Sequence, residues 1–458
     1  MRPALQPAVD AARAALARDR RRPVVVAHDT WLASGLQRAL PETALVCIAA
    51  SDAVEVLRRG GTEVFCLSEA IGGPATAGMS SLELLQHPAT AAFFASLGPT
   101  AVLSFKPSER IATAVDGLGG ELLAAPSSAA RAYENKLAFV AAAERAGVPR
   151  PFWEVRSLPP DHATLARDFG PRFVVQGARG NAGQRTWIVA SQSDLDGLPR
   201  RDRGGLVRVA EYVGGTPFTA TGVAFSALGT GLDRDRLAAV VEPCRQVTGV
   251  PWLTPESLGS CGNAWGFEPL RAHVTEVNRC VRALAADLAA NSYRGIFGVD
   301  FVLTEDGPLV IEVNPRMVAS LPVATELEVE AGLAPLVLLH LLELADADLT
   351  GLEDAAASPL GEASQVILHR LPGDRANPPR GGIYRLVAGA VEFVRDGATV
   401  ADIADETELL LLARRPGEPV TERKEFARVY VRSALGEAAP GVRELVQHVR
   451  QEPNPASA

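Results

Sequence analysis

GIFGVDFVLTEDGPLVIEVNPR, residues 295–316, is the stretch on which the fold turns. Two runs rich in β-branched and aromatic residues flank Glu305-Asp306-Gly307, which predicts a β-hairpin. Gly307 suits the left-handed residue that ends a three-residue loop. Such a loop pairs Thr304 with Pro308, and Pro308 is tolerated at the first position of a strand. Counting outward sets Phe301 opposite Ile311 and Asp300 opposite Glu312. Asn314 lies two residues beyond Glu312 and shares its face. The other face (Phe301, Leu303, Ile311, Val313) is apolar. Cross-strand neighbours sit roughly 4.5–5.5 Å apart at Cβ, so two opposed carboxylates repel unless a cation lies between them. Short side chains ending in oxygen suit magnesium, which leaves its other positions to phosphates and water. Asp300, Glu312 and Asn314 are therefore the expected metal ligands. Arg316 keeps the same phase and offers a planar fork to a phosphate or carboxylate. The competing reading is an exposed polar strand face.

Upstream, short apolar runs at 23–28, 44–51, 63–68 and 100–105 alternate with helical or loop-like stretches. That alternation predicts a parallel α/β layer over roughly residues 20–130. No GxGxxG follows the first run, so a dinucleotide site is not supported. A helix is expected over 133–146, ending at Gly147 with Pro149 and Pro151 beyond it. Strands follow at 172–176, 186–190, 205–212 and 218–225, with the glycine loop GARGNAG (177–183) after the first. A helix at 273–290 precedes the hairpin, and an apolar helix at 333–344 follows it. The stretch 242–266 is rich in Gly, Pro and Ser and carries Arg245, Trp252 and Trp265. It reads either as a wall of the substrate site or as a surface loop. An Ala/Asp/Glu/Gly-rich linker at 346–363 leads to alternating segments and a last helix near 442–450. The expected organisation is an N-terminal Rossmann-like α/β domain (1–130), a central domain (131–345) and a small β-rich C-terminal domain (364–458). The central domain divides into a nucleotide-covering part (131–209) and a catalytic part (210–345).

Composition fits a globular chain, with 47% hydrophobic and 22% charged residues. A net charge of -9 gives no general bias toward nucleic acid or membrane surfaces. The five cysteines are scattered, without metal-type spacing, and read as buried reduced thiols of a cytoplasmic protein. The first residues read as a short amphipathic helix rather than a signal peptide.

IEVNPR after GIFGVDF closely resembles the metal-binding end of ATP-grasp enzymes, which include biotin carboxylases, carbamoyl-phosphate synthetases and amino-acid ligases. Further elements occur in the family's order. Glu134-Asn135-Lys136 resembles the opening motif, in which Lys136 approaches nucleotide phosphates. Pro171–Thr186 resembles the strand and glycine loop that fold over them, which implies nucleotide contacts from Gln176, Gly180, Asn181, Ala182 and Gly183. Ala210–Thr216 resembles the hinge that meets adenine, through Glu211, Tyr212 and Val213. The resemblance implies an α/β ATP-grasp fold, ATP and Mg2+, and a ligase that joins a carboxylate to an amine through an acyl phosphate. Arg316 and Asn314 are the implied catalytic residues. Two departures stand out. Gln176 replaces the lysine or arginine usual at the end of its strand, with Arg179 or Arg185 as substitutes. Pro217 stands where an acidic residue often holds the ribose. The layout, with SFKPSERI before YENK and GGIYRL near the end, resembles the pheganomycin-type peptide ligases, which implies a peptide amine as acceptor. A general amino-acid or dipeptide ligase, a nucleotide-binding regulatory protein without catalysis, and a carboxylase-like partner of a carrier protein are the alternatives. Substrates are expected to be small carboxylates and amines or peptides, with no nucleic acid or membrane, and a homo-oligomer is left open.

Overall fold

The structure is a computed structural model. It describes residues 2–159, 161–180, 183–226, 238–349, 352, 354–355, 359–374 and 378–451. Five parallel strands, β1 (Arg22–Val26), β2 (Ala44–Cys47), β3 (Val64–Cys66), β4 (Thr100–Ser104) and β5 (Gly120–Leu122), form a sheet in the order β3-β2-β1-β4-β5. The central strand β1 and its neighbours β2 and β4 are almost entirely buried, as expected when helices cover both faces. One face packs on the helices Ser81–Gln86, Pro88–Leu97 and Glu109–Gly117. The other meets Leu5–Arg18 and the two apolar helices Leu321–Glu330 and Leu336–Leu344.

A four-stranded antiparallel sheet follows: β6 (Trp153–Ser157), β7 (Phe173–Gln176), β8 (Thr186–Val189) and β9 (Leu206–Glu211), in the order β6-β9-β7-β8. The helix expected over 133–146 is two helices, Ser127–Glu134 and Lys136–Ala146. Asn135 breaks them, because its side chain accepts from Leu137 N at 3.0 Å and caps the second helix.

The largest sheet is antiparallel. Its strands are β10 (Thr216–Ala224), β11 (Ala238–Val240), β12 (Cys244–Thr248), β13 (Ser260–Trp265), β14 (Gly295–Thr304), β15 (Gly307–Asn314), β16 (Ala363–His369), β17 (Gly382–Val387), β18 (Ala390–Arg395), β19 (Glu408–Ala413) and β20 (Glu425–Val431). The order is β15-β14-β10-β12-β13-β16-β20-β19-β17-β18, with β11 beside β10. The C-terminal strands therefore extend the sheet that carries the 295–316 hairpin, because β13 pairs with β16. The expected loop at 242–266 is largely the hairpin β12–β13. Trp265 is buried in the core, and Arg245 pairs with Glu437 at 3.0 Å, so neither walls a pocket. All five cysteines are free and buried. Among the described residues no helix is long and apolar enough to cross a membrane.

Glu326, on the helix between the parallel sheet and the large one, is 4% exposed, with Arg38 Nε at 3.0 Å. Burial pushes its carboxyl up to about 7, against the pull of Arg38. The folded protein thus keeps a proton that the unfolded chain releases above pH 4.5, so stability falls as pH rises from about 4.5 to 7. Glu326→Gln cannot lose that proton. Its stability relative to the parent, from urea unfolding at pH 5 and pH 8, is expected to improve at the higher pH by on the order of 3 kcal/mol. Parallel curves would contradict this.

Candidate active site

The hairpin β14–β15 places Asp300 directly opposite Glu312. The route differs from the one expected. The loop has two residues, Glu305 and Asp306, and Thr304 pairs with Gly307, not Pro308. Phe301 faces Val310, and a bulge at Ile311 restores the register before Glu312. Val310, not Ile311, therefore joins Phe301 and Val313 in the core under the hairpin. Asn314 stands opposite Gly298, and its Nδ2 donates to Asp300 Oδ2 at 3.0 Å. Gln246 Nε2, from β12, donates to Asp300 Oδ1 at 2.8 Å. Burial pushes the Asp300 carboxyl up, while Thr219, Lys136 and Asn314 pull it down.

A cation does lie against the opposed carboxylates. Lys136, 7% exposed, forms an ion pair with Glu312. It is the first residue of its helix, and its backbone N–H donates to Ala178 O at 2.9 Å, which ties the helix to the glycine loop. Burial and then Arg208 push Lys136 down to about 7, against the pull of Asp300. Arg316 Nη2 donates to Asn314 Oδ1 at 3.1 Å, and its Nε lies 3.8 Å from Glu134 Oε1. That Nε is buried without a hydrogen-bond partner.

The charge missing at Gln176 is present one strand away. Arg208 on β9 is directly opposite Gln176 on β7 and is 1% exposed. Its Nε donates to Gln176 Oε1 at 2.9 Å and its Nη1 to Ile311 O at 3.0 Å, with its guanidinium 4.5 Å from the Trp153 ring centroid. All these partners are neutral. Arg185, a substitute expected from sequence, is instead bound to buried Asp202, with Nε at 3.1 Å from Oδ1. The signal for Arg208 was available: a charge in the middle of LVRVAE, an otherwise apolar strand.

The glycine loop approaches the β12–β13 turn. Gly183 has φ +80°, and a Cβ there would lie 2.7 Å from Leu258 O, so only glycine fits. Gly180 is equally crowded, its would-be Cβ 2.0 Å from Gln184 O. Asn181 and Ala182 lie outside the described residues. At the hinge, Glu211 Oε1 accepts from Phe152 N at 2.8 Å, Tyr212 stacks under Arg172 (3.8 Å), and Val213 is partly exposed. Pro217 is paired with Val302 inside β10.

This geometry coincides with a family match. Residues 133–320 match the family described as ATP-grasp domain. That part of the chain is an ATP-grasp domain. Solved structures agree on the fold. The phosphoribosylamine–glycine ligase of Thermotoga maritima is 15% identical with a TM-score of 0.58, over 93% of this chain and 96% of that one. The biotin carboxylase domain of Hydrogenobacter thermophilus 2-oxoglutarate carboxylase, solved with MgADP and bicarbonate, gives 12% and 0.56, over 90% and 86%. The N5-carboxyaminoimidazole ribonucleotide synthetase of Thermus thermophilus gives 15% and 0.54, over 94% and 99%. No curated protein sequence matches significantly.

Lys136→Met is expected to destabilise the ATP-grasp domain by about 3 kcal/mol, since it leaves Glu312 unpaired opposite Asp300. Adding Glu312→Gln should recover most of that loss in urea unfolding. Additive losses would contradict the pairing.

Proposed function

We propose that this chain is an ADP-forming carboxylate–amine ligase that uses ATP and Mg2+. The observation that carries the reading is the opposition of Asp300 and Glu312 beside three buried or nearly buried cations, Lys136, Arg208 and Arg316. Arg208 has no carboxylate partner among the described residues, and a buried guanidinium with only neutral acceptors favours an incoming anion. Nucleotide phosphates are such an anion, as the family match and the MgADP in a structural neighbour suggest.

The fit to magnesium rests on the hairpin itself. The opposed Asp300 and Glu312 offer two hard carboxylates, which suits magnesium, whose other positions phosphates and water complete. The Lys136 ammonium already marks the place where positive charge is needed. Asp300, Glu312 and Asn314 would hold the ion, which when bound neutralises charge on the transferring phosphoryl group.

In the reaction, a carboxylate oxygen attacks the γ-phosphorus and ADP leaves with the bonding pair. The amine nitrogen then attacks the carbonyl carbon of the acyl phosphate, and phosphate departs. Lys136 and Arg208 hold the phosphates, and Arg316 faces the transferring group. Strand β7, with Gly177, Gly180 and Gly183 beyond it, would cover the nucleotide and keep water from the intermediate. Glu211, Tyr212 and Val213 would meet adenine. An amino-acid-like carboxylate and a peptide amine are the favoured pair, supported by the SFKPSERI and GGIYRL texture. A catalytically silent regulatory role is less well supported, because Arg208 makes good the charge that Gln176 lacks.

Magnesium-dependent ADP release, scored over pairs of amino acids, guanidino acids and short peptides, tests the reading. Release that needs both a carboxylate and an amine, with the condensed product by mass, is expected. Glu312→Gln should lower it by at least about a hundredfold, the order expected when a charge-stabilising group is lost. Nucleotide binding without release for any pair would favour the regulatory role.

A further inference from the structure

Several side-chain amides lie in and beside the site, and each has a nitrogen that donates and an oxygen that accepts. Most are engaged at both ends. Asn314 Nδ2 donates to Asp300 Oδ2 at 3.0 Å, and its Oδ1 accepts from Arg316 at 3.1 Å. Gln176 Nε2 donates to Thr186 Oγ1 at 3.2 Å, and its Oε1 accepts from Arg208 at 2.9 Å. Asn263 Nδ2 donates to Cys244 Sγ at 3.5 Å, and its Oδ1 accepts from Gln365 at 2.8 Å. Gln365 Oε1 accepts in turn from Arg428 at 2.9 Å. Gln246 differs from these four. Its Nε2 donates to Asp300 Oδ1 at 2.8 Å, but nothing among the described residues donates to its Oε1.

The orientation of that amide follows from its partner. An ionised carboxylate only accepts, so the nitrogen end of Gln246 must face Asp300 and the oxygen end must turn away. A flipped amide would set two acceptors against each other. Gln246 is half-buried, so its oxygen is not sealed in the core. Buried and half-buried polar groups in a folded site are otherwise matched, as the four neighbouring amides are.

The strand order gives the direction of approach. Asp300 on β14 pairs with Thr219 on β10, and Thr219 pairs with Cys244 on β12. Gln246 lies two residues along from Cys244 and so shares that face. Lys136 and Arg208 meet the hairpin at β15, on the far side of β14, through Glu312 and Ile311 O. Gln246 therefore reaches Asp300 from the side opposite the cations that would hold the nucleotide. A second substrate reaches a phosphorylated carboxylate from that side.

We propose that Gln246 receives the amine: its Oε1 accepts an N–H of the incoming nucleophile and turns the nitrogen lone pair toward the acyl phosphate. This rests on the ligase reading and adds a residue for its second step. In that step the C–N bond forms and the C–O bond to the phosphate breaks, with the pair leaving on phosphate. The proton that the nitrogen loses departs with it as hydrogen phosphate. A neutral amide suits the task. A carboxylate in its place would stabilise the ammonium form, which has no lone pair to attack with.

The chain has ten glutamines, so labelling with glutamine carrying 13C at its side-chain carbonyl gives few signals. Gln246→Met assigns the one that matters, and Gln246→Lys, which keeps a donor toward Asp300, serves if the first variant does not fold. The probe is O-methylhydroxylamine, an amine that is neutral at neutral pH and donates only through N–H. N,N-dimethylhydroxylamine, which has no N–H, is the control. Both are added to the full chain in the presence of MgADP. The Gln246 carbonyl is expected to move downfield with the probe and to stay in place with the control. A carbonyl that ignores the probe, or that moves equally with both, would overturn the assignment. Calorimetric titration of the unlabelled protein with MgADP separates the two claims. Absence of binding there refutes the ligase reading whatever Gln246 does.

Discussion

Two carboxylates facing each other across neighbouring strands set the terms for the rest of this structure. Asp300 and Glu312 are held opposite by backbone pairing, so they cannot separate to relieve repulsion. Lys136 answers the repulsion at the cost of burying an ammonium, and its helix is fixed by the Asn135 cap and by Ala178 of the glycine loop. A local electrostatic demand thus connects the hairpin to the four-stranded sheet through Lys136 and to β9 through Arg208, whose Nη1 reaches Ile311 O.

The large sheet extends this arrangement sideways. Gln246 on β12 holds Asp300, and Asn263 on β13 pairs in register with it. Gln365 on β16 donates to Asn263 Oδ1 at 2.8 Å, and Arg428 on β20 donates to Gln365 Oε1 at 2.9 Å. Both Gln365 and Arg428 also donate to Ala319 O, three residues beyond Arg316. Glu425 then joins Arg428 to Trp31. Buried polar groups are tolerated when each is satisfied, and a satisfied row fixes its neighbours in place. The row ties the loop after the hairpin to the docking of the parallel sheet, which is why the C-terminal strands belong to the same sheet as the site.

Much of this was legible in the residues. The period-two pattern around Glu305-Asp306-Gly307 placed Asp300 against Glu312 and Asn314 beside them, and the near-continuous apolar runs marked the parallel sheet. The bulge at Ile311 was not legible, because an extra residue in one strand offsets a miscounted loop and leaves the carboxylate pairing unchanged. Arg208 was missed because a single charge in an apolar strand reads as an edge, whereas here it is buried against Gln176 and Trp153. The 242–266 stretch looked like a loop from its Gly, Pro and Ser content. Sheet pairing overrode that composition and left Gln246, not the tryptophans or Arg245, facing the site.

The central claim is that the opposed carboxylates serve transfer of phosphate to a substrate carboxylate. It is tested most directly by following oxygen from an 18O-labelled carboxylate during a single round of coupling. The account expects one labelled oxygen in the released inorganic phosphate and ADP as the nucleotide product. Label in AMP, or phosphate free of label while product forms, would contradict it.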